Sequence, residues 1–191
     1  MKSFNLTFKK SAKELKSVRC LTVSAMLGAL AIVLGLFSIQ PIPTIRVSFD
    51  YLPSRVVYYL FGPVVGAIYG GAIDILKFIV KPMGPYHPGF TLSSILTGII
   101  FGVILYKKPL KISRIFVATT IKIIFVNIIL NTYWNTAFVG KTFWAILPAR
   151  LAKNLILLPF ETLLVFLLIK GIEATGVIKL IRQPKANVNK Q

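Results

Sequence analysis

Residues 21–40, LTVSAMLGALAIVLGLFSIQ, run for twenty positions without a charge. An α-helix rises about 1.5 Å per residue, so about 20 apolar residues cross the hydrocarbon core of a bilayer, and this stretch reads as a spanning helix. The basic residues before it suggest a secretory leader. Its apolar core is too long for one, and further apolar segments follow, so the stretch is expected to stay in the protein.

Five more apolar segments lie downstream. They are 52–61 with Arg55, 64–80 with Asp74 and Lys77, the uncharged 90–106, 112–139 with Arg114 and Lys122, and 143–169 with Arg150, Lys153 and Glu161. The expectation is an all-α membrane protein of six transmembrane helices. The segment 52–61 is too short to span alone and is expected to be buried against its neighbours or to enter at an angle. Proline and glycine mark the boundaries: QPIP at 40–43, FGP at 61–63, KPMGPYHPG at 81–89 and KKP at 107–109.

Composition agrees. A chain of 191 residues is one domain or one membrane bundle. Hydrophobic residues make up 55%, which excludes intrinsic disorder, and charged residues only 15%, against about 25% in soluble domains. The net charge of +18 would suit nucleic acid, but its placement argues for topology instead. Lys2, Lys9, Lys10, Lys13, Lys16 and Arg19 precede the first helix. Lys107, Lys108, Lys111 and Arg114 lie between the fourth and fifth. Lys170, Lys179, Arg182, Lys185 and Lys190 end or follow the sixth. With six crossings all three groups share one side, which the positive-inside rule makes cytoplasmic, with both termini inside. The domain reading is a basic cytoplasmic N-terminal segment 1–19, a six-helix membrane domain 20–172 and a basic cytoplasmic tail 173–191. Residues 5–18 are expected to form a basic helix on anionic membrane lipid, and 183–191 a disordered tail. No nucleic-acid partner is expected.

The remaining cations are Arg46, Arg55, Lys77, Lys81, Lys122, Lys141, Arg150 and Lys153. All but Lys122 fall mostly in the outer half. A charge inside a membrane helix costs at least ~2.5–3.5 kcal/mol on insertion scales, so each is expected to pair or to serve a ligand. Asp74 with Lys77, three residues apart, and Glu161 with Lys122 are the candidate internal pairs. The cations left over outnumber Asp50 and Asp74 and suit an anionic ligand. Phe49, Tyr51, Tyr86, His87 and Phe90 accompany them, as do Asn127, Asn131, Trp134 and Asn135, then Trp144 and Asn154. Asn127, Asn131 and Trp134 share one helical face. Interface anchoring is the competing reading for the tryptophans, and helix-to-helix bonding for the asparagines.

Several chemistries have no material. Lone Cys20 allows no internal disulfide or thiolate metal cluster, and lone His87 suggests no metal site. No phosphate-binding loop, zinc-protease motif or nucleophile elbow is present, so neither catalysis nor a cofactor is expected. Small residues recur at four-residue steps: Ala25 and Ala29, Ala31 and Gly35, Gly62 with Gly66 and Gly70, Gly98 and Gly102. Such steps pack helices closely, or offer a docking face where they point to lipid.

The chain resembles the substrate-binding S components of energy-coupling factor (ECF) vitamin transporters, and most of all the folate-specific branch. Arg46-Val-Ser-Phe-Asp-Tyr-Leu-Pro53, Phe61-Gly-Pro-Val-Val-Gly66 and Asp74 carry this resemblance, with Pro88-Gly-Phe-Thr-Leu-Ser-Ser-Ile-Leu-Thr-Gly98. So do Leu130-Asn-Thr-Tyr-Trp134, Leu147-Pro-Ala-Arg-Leu-Ala-Lys-Asn154 and Leu158-Pro-Phe-Glu161. The resemblance implies a multi-pass protein of a prokaryotic cell membrane that binds folate or reduced folates in an outward-facing pocket gated by the first outer loop. It implies docking through Ala25 and Ala29 on a transmembrane coupling protein driven by two ATPase subunits, and toppling in the membrane to release substrate. Within it, Phe49, Tyr86 and Trp134 are candidates to stack on the vitamin's rings, with His87 beside them. Asn131 and Asp50 or Asp74 are candidates for the pterin edge, and Arg46, Arg55, Lys77, Arg150 and Lys153 for the glutamate carboxylates. An S component for another anionic or heteroaromatic metabolite, or a non-transport membrane subunit, stays open at this point.

Overall fold

The computed structural model describes residues 2–37, 39–42, 45–82, 86–139 and 143–182. Eight α-helices follow one another among them: α1 Lys2–Glu14, α2 Val18–Leu36, α3 Tyr51–Val80, α4 Pro88–Leu105, α5 Ile112–Lys122, α6 Asn131–Val139, α7 Phe143–Ala174 and α8 Val177–Arg182. A π-helical stretch, Ile123–Leu130, joins α5 to α6 into one continuous run. The expected disordered tail 183–191 and Lys141 lie outside the described residues.

Two corrections concern the connection after α2. The first span ends at Leu36 rather than Gln40, and the chain then forms a small antiparallel pair, β1 Ile39–Ile42 with β2 Ile45–Val47. Among the described residues, the expected all-α architecture holds apart from these seven residues. Pro41 disfavours helix at the residue before it, and the β-branched residues Ile39, Ile42, Ile45 and Val47 favour extended backbone.

Five helical runs among the described residues are long and apolar enough to cross a membrane: Val18–Leu36, Tyr51–Val80, Pro88–Leu105, Ile112–Thr136 and Arg150–Ala174. The count differs from six because 52–61 and 64–80 are joined in α3. That run is not straight. Gly62 has φ 85° and ψ −166°, and Pro63 follows it. A straight helix would hold Asp50 and Lys77 about 40 Å apart, yet Lys77 Nζ lies 2.6 Å from Asp50 Oδ2. The two arms therefore fold back on each other, as a positive φ at glycine and a missing N–H at proline allow. Residues 53–61 of the first arm are buried throughout, so this short segment is enclosed by its neighbours.

Glycines bring α3 and α4 together. A Cβ at Gly66 would lie 2.8 Å from the Gly98 carbonyl oxygen, and one at Gly98 would run into the backbone of Gly66 and Ala67. Gly70 meets the Ser94 carbonyl and Gly102 meets Pro63 in the same way. Gly28 of α2 packs on Ile73 and Tyr69 of α3. Around this contact Tyr59, Phe101, Leu105, Ile115, Val165 and Ile169 form a core that is fully enclosed. Large apolar side chains elsewhere point outward, among them Met26 and Leu30 on α2, Phe125 in the π stretch, and Leu155 and Phe160 on α7.

Gly98→Ala is expected to lower stability by about 1–3 kcal/mol through overpacking. Gly171, with nothing within 4 Å of its Cβ position, is expected to tolerate alanine or to gain up to about 1 kcal/mol. Thermal unfolding of the detergent-solubilised chain compares the two; equal losses would refute the close-contact account.

Candidate ligand-binding site

A cavity of about 470 Å³ opens among α2, both arms of α3, α4 and the α5–α6 run. That volume is in the usual range for small-molecule sites. The first arm of α3 contributes Ser54, Arg55 and Tyr58, and the second Gly70, Ile73, Asp74, Lys77 and Phe78. Tyr86, His87, Phe90, Ser94 and Thr97 close it from the α4 side, with Lys122, Asn127 and Asn131 opposite. Ile32, Gly35 and Leu36 of α2 and the turn at Ser48, Asp50 and Tyr51 complete the wall.

The charges sort into three groups. Lys77 binds Asp50, and Ser48 donates its hydroxyl to the same carboxylate. The expected Asp74–Lys77 pair does not form, because the fold-back of α3 offers Lys77 a partner in the preceding turn. Asp74 instead accepts from Thr91 Oγ1 at 2.8 Å and Ser94 Oγ at 3.1 Å. It is a cavity-lining carboxylate held by hydroxyls, with no cation within ion-pair distance among the described residues. The third group is buried. Glu161 of α7 bridges Arg55 at 3.1 Å and Lys122 at 3.0 Å. The Glu161–Lys122 pair matches expectation; the capture of Arg55 does not follow from spacing. Arg55 is only 3% exposed, and its guanidinium lies 3.9 Å from the centre of the Phe101 ring. Cation–π contact of this kind stabilises a desolvated guanidinium.

The α4 end carries the rings. His87 begins the helix, and its Nδ1 accepts from the Gly89 N–H at 3.0 Å. The Trp134 ring packs at a tilt against His87, with centroids 5.1 Å apart, and covers Gly89, where a Cβ would strike the indole. Tyr86 packs on Phe78 at 5.2 Å and shares a hydrogen bond with Thr91. Asn131 Oδ1 and Trp134 Nε1 are buried with no hydrogen-bond partner among the described residues. An unpaired buried acceptor and donor beside a cavity are costly unless a ligand or water meets them.

Seven of the sequence-derived candidates therefore line one cavity: Asp50, Arg55, Asp74, Lys77, Tyr86, His87 and Asn131. Trp134 borders it through His87. Phe49 is exposed beside the lining turn. Arg150 and Lys153 are not in the wall. Arg150 instead reaches the Asn127 carbonyl at 3.3 Å, and Asn127 donates to Asn154 at 2.8 Å, tying the π stretch to α7. Arg46 sits in β2, and its side chain lies outside the described part. Sequence reading missed Ser54, Tyr58, Ser94 and Thr97. Their signal was weak: small hydroxyls one turn apart in apolar helices, with Tyr58 one turn from Ser54. Ala25 and Ala29 are exposed on α2, away from the core.

The family model for the ECF transporter substrate-specific component matches residues 19–169. The chain belongs to this family, whose members are substrate-binding components of transporters rather than enzymes. It is 32% identical over 152 residues to the folate transporter FolT of Clostridium novyi, covering 80% of this chain and 88% of that protein. It is 27% identical over 144 residues to the folate transporter FolT of Leuconostoc mesenteroides, covering 72% and 77%. A crystal structure of FolT bound with folic acid superposes with a TM-score of 0.73 at 27% identity, covering 78% of this chain and 92% of that one.

Breaking a buried ion pair by removing one partner strands the other charge at about 3–5 kcal/mol. Glu161→Gln strands both Arg55 and Lys122 and is expected to cost that much. Lys122→Met keeps the Arg55–Glu161 pair and is expected to cost less. Melting curves of the two variants check the order; a reversed order would refute the bridging role.

Proposed function

We propose that this chain is the high-affinity folate-binding subunit of an ECF-type importer, acting in a prokaryotic cell membrane. The carrying observation is the cavity itself. It gathers into one space an Asp74 carboxylate and an Asn131 amide oxygen that have, respectively, no cation and no partner among the described residues, together with aromatic rings and cations. Membership of the family and the two FolT relatives support the same ligand. A pterin presents a guanidine-like donor edge, which suits Asp74 and Asn131 as acceptors. Tyr86 in the wall offers a ring face, with Trp134 behind His87 and Phe49 beside the lining turn. The cations Lys77, Arg55 and Lys122 suit the vitamin's carboxylate and carbonyl oxygens, while Arg46, Arg150 and Lys153 serve at the rim or in packing.

The reading includes six crossings, counting the two arms of α3 separately, with both termini cytoplasmic and the cavity open to the outside. The exposed Ala25–Ala29 step would meet a transmembrane coupling protein, and two ATPase subunits would supply the energy. Support comes from the basic residues clustered at 2–19, 107–114 and 170–190 and from the family's known assembly.

Titrating the purified chain with folate while following tryptophan fluorescence tests the ligand. Saturation at one folate per chain in the nanomolar range is expected. A response to a different vitamin alone would keep the family and change the substrate. Asp74→Asn is expected to weaken folate binding by about 10- to 100-fold, the loss of one charge-assisted hydrogen bond set. Ala29→Leu is expected to leave folate binding intact and to abolish copurification of the ATPases; undiminished copurification would refute the docking role.

A further inference from the structure

The corner of α3 leaves main-chain groups without helical partners. The positive φ of Gly62 ends the first arm, and Pro63 starts the second, so the Phe61 carbonyl and the first N–H groups of the second arm are orphans. One side chain serves them, and it comes from another helix. Ser11 of α1 donates its hydroxyl to the Phe61 carbonyl at 2.7 Å. The same oxygen accepts from the Val64 N–H at 3.0 Å and from the Val65 N–H at 3.3 Å. Ser11 is fully buried. One turn along α1, Glu14 accepts from the Tyr106 hydroxyl at 3.1 Å and lies 3.6 Å from Lys107 Nζ. The Tyr106 ring in turn covers Gly62. Through Ser11 and Glu14, α1 clasps the corner of α3.

Both arms that meet at this corner carry cavity wall: Ser54, Arg55 and Tyr58 on one, Asp74 and Lys77 on the other. Ser11 itself is not in that wall. We propose that Ser11 is a positioning residue for ligand binding. By capping the α3 corner from the opposite end of the molecule, it fixes the angle between the two arms and so the geometry of a cavity it does not touch. The affinity part of the test rests on the folate reading; the exchange part does not.

The experiment is residue-resolved amide hydrogen exchange on the full chain in lipid nanodiscs, paired with folate titration. In the unaltered chain Val64 and Val65 are expected to exchange as slowly as the helix interior. Fast exchange there, as for uncapped first-turn amides, would overturn the cap. In Ser11→Ala, exchange at Val64 and Val65 is expected to rise at least about fivefold, the scale of a lost helix cap. The rise is expected to extend to residues 70–77, and the folate Kd to increase by a similar factor at unchanged one-to-one stoichiometry. Ser11→Thr, which returns the hydroxyl, is expected to restore both. A lower melting temperature with unchanged exchange at 70–77 and unchanged Kd would make Ser11 a stability residue only and overturn the proposal. Should Ser11→Ala fail to accumulate, Ser11→Cys keeps the side-chain shape, weakens the bonds and carries the same expectations. A chain that binds no folate would sink the folate reading, while exchange at 70–77 still decides the positioning role.

Discussion

The backbone-to-backbone approach of α3 and α4 is the constraint on which the other features depend. Gly66 and Gly70 face Gly98 and the Ser94 carbonyl, and Gly102 faces Pro63. In a bilayer the tails are as apolar as leucine, so close packing of small residues, more than hydrophobic burial, holds helices together. This contact brings the second arm of α3 alongside α4. It thereby places Asp74 within reach of Thr91 and Ser94, and the cavity inherits its acceptor wall from a packing decision made at glycines.

A second economy concerns charge. The basic residues outside the three flanking clusters suggest a cationic interior, yet much of that charge is answered. Lys77 is held by Asp50, Glu161 serves both Arg55 and Lys122, and Lys81 donates to the Leu36 carbonyl at 2.9 Å. The remaining surplus is small and sits where Arg55 and Lys122 line the cavity. A site with modest excess charge in a low-dielectric surround attracts an anion without trapping it, because the internal counter-ions stay in place when the ligand leaves.

Much of this was legible in the sequence. Long apolar runs marked the helices, and FGP at 61–63 marked the corner, because glycine allows a positive φ and proline lacks a donor. The Glu161–Lys122 pair followed from two opposite charges in neighbouring apolar segments, since charges inside a membrane tend to pair. Other features were not legible for definite reasons. The Asp50–Lys77 bond depends on α3 folding back, a long-range event that spacing within one helix does not encode. The π stretch at Ile123–Leu130 replaces the 3.6-residue period on which the Asn127–Asn131–Trp134 face was counted. Arg150, placed by pattern among ligand-binding cations, reaches the Asn127 carbonyl in that wider turn, which also accepts from Thr132. Ser11 carried no sequence signal, because its partners are main-chain atoms fifty residues away.

The short first arm of α3 also sets a depth. Residues 51–61 rise only about 16 Å, roughly half of a ~30 Å hydrocarbon layer, whereas residues 63–80 rise about 27 Å. In the orientation proposed above, which sets the Gly62 corner at the inner boundary, the turn at Asp50 is sunk well below the outer one. Cargo resting between Asp50 and Tyr58 has then already covered a large part of the crossing before any energy is spent. The remaining barrier is a thin layer of tightly packed helix beneath it, and transport becomes a problem of opening that layer rather than of moving the cargo far.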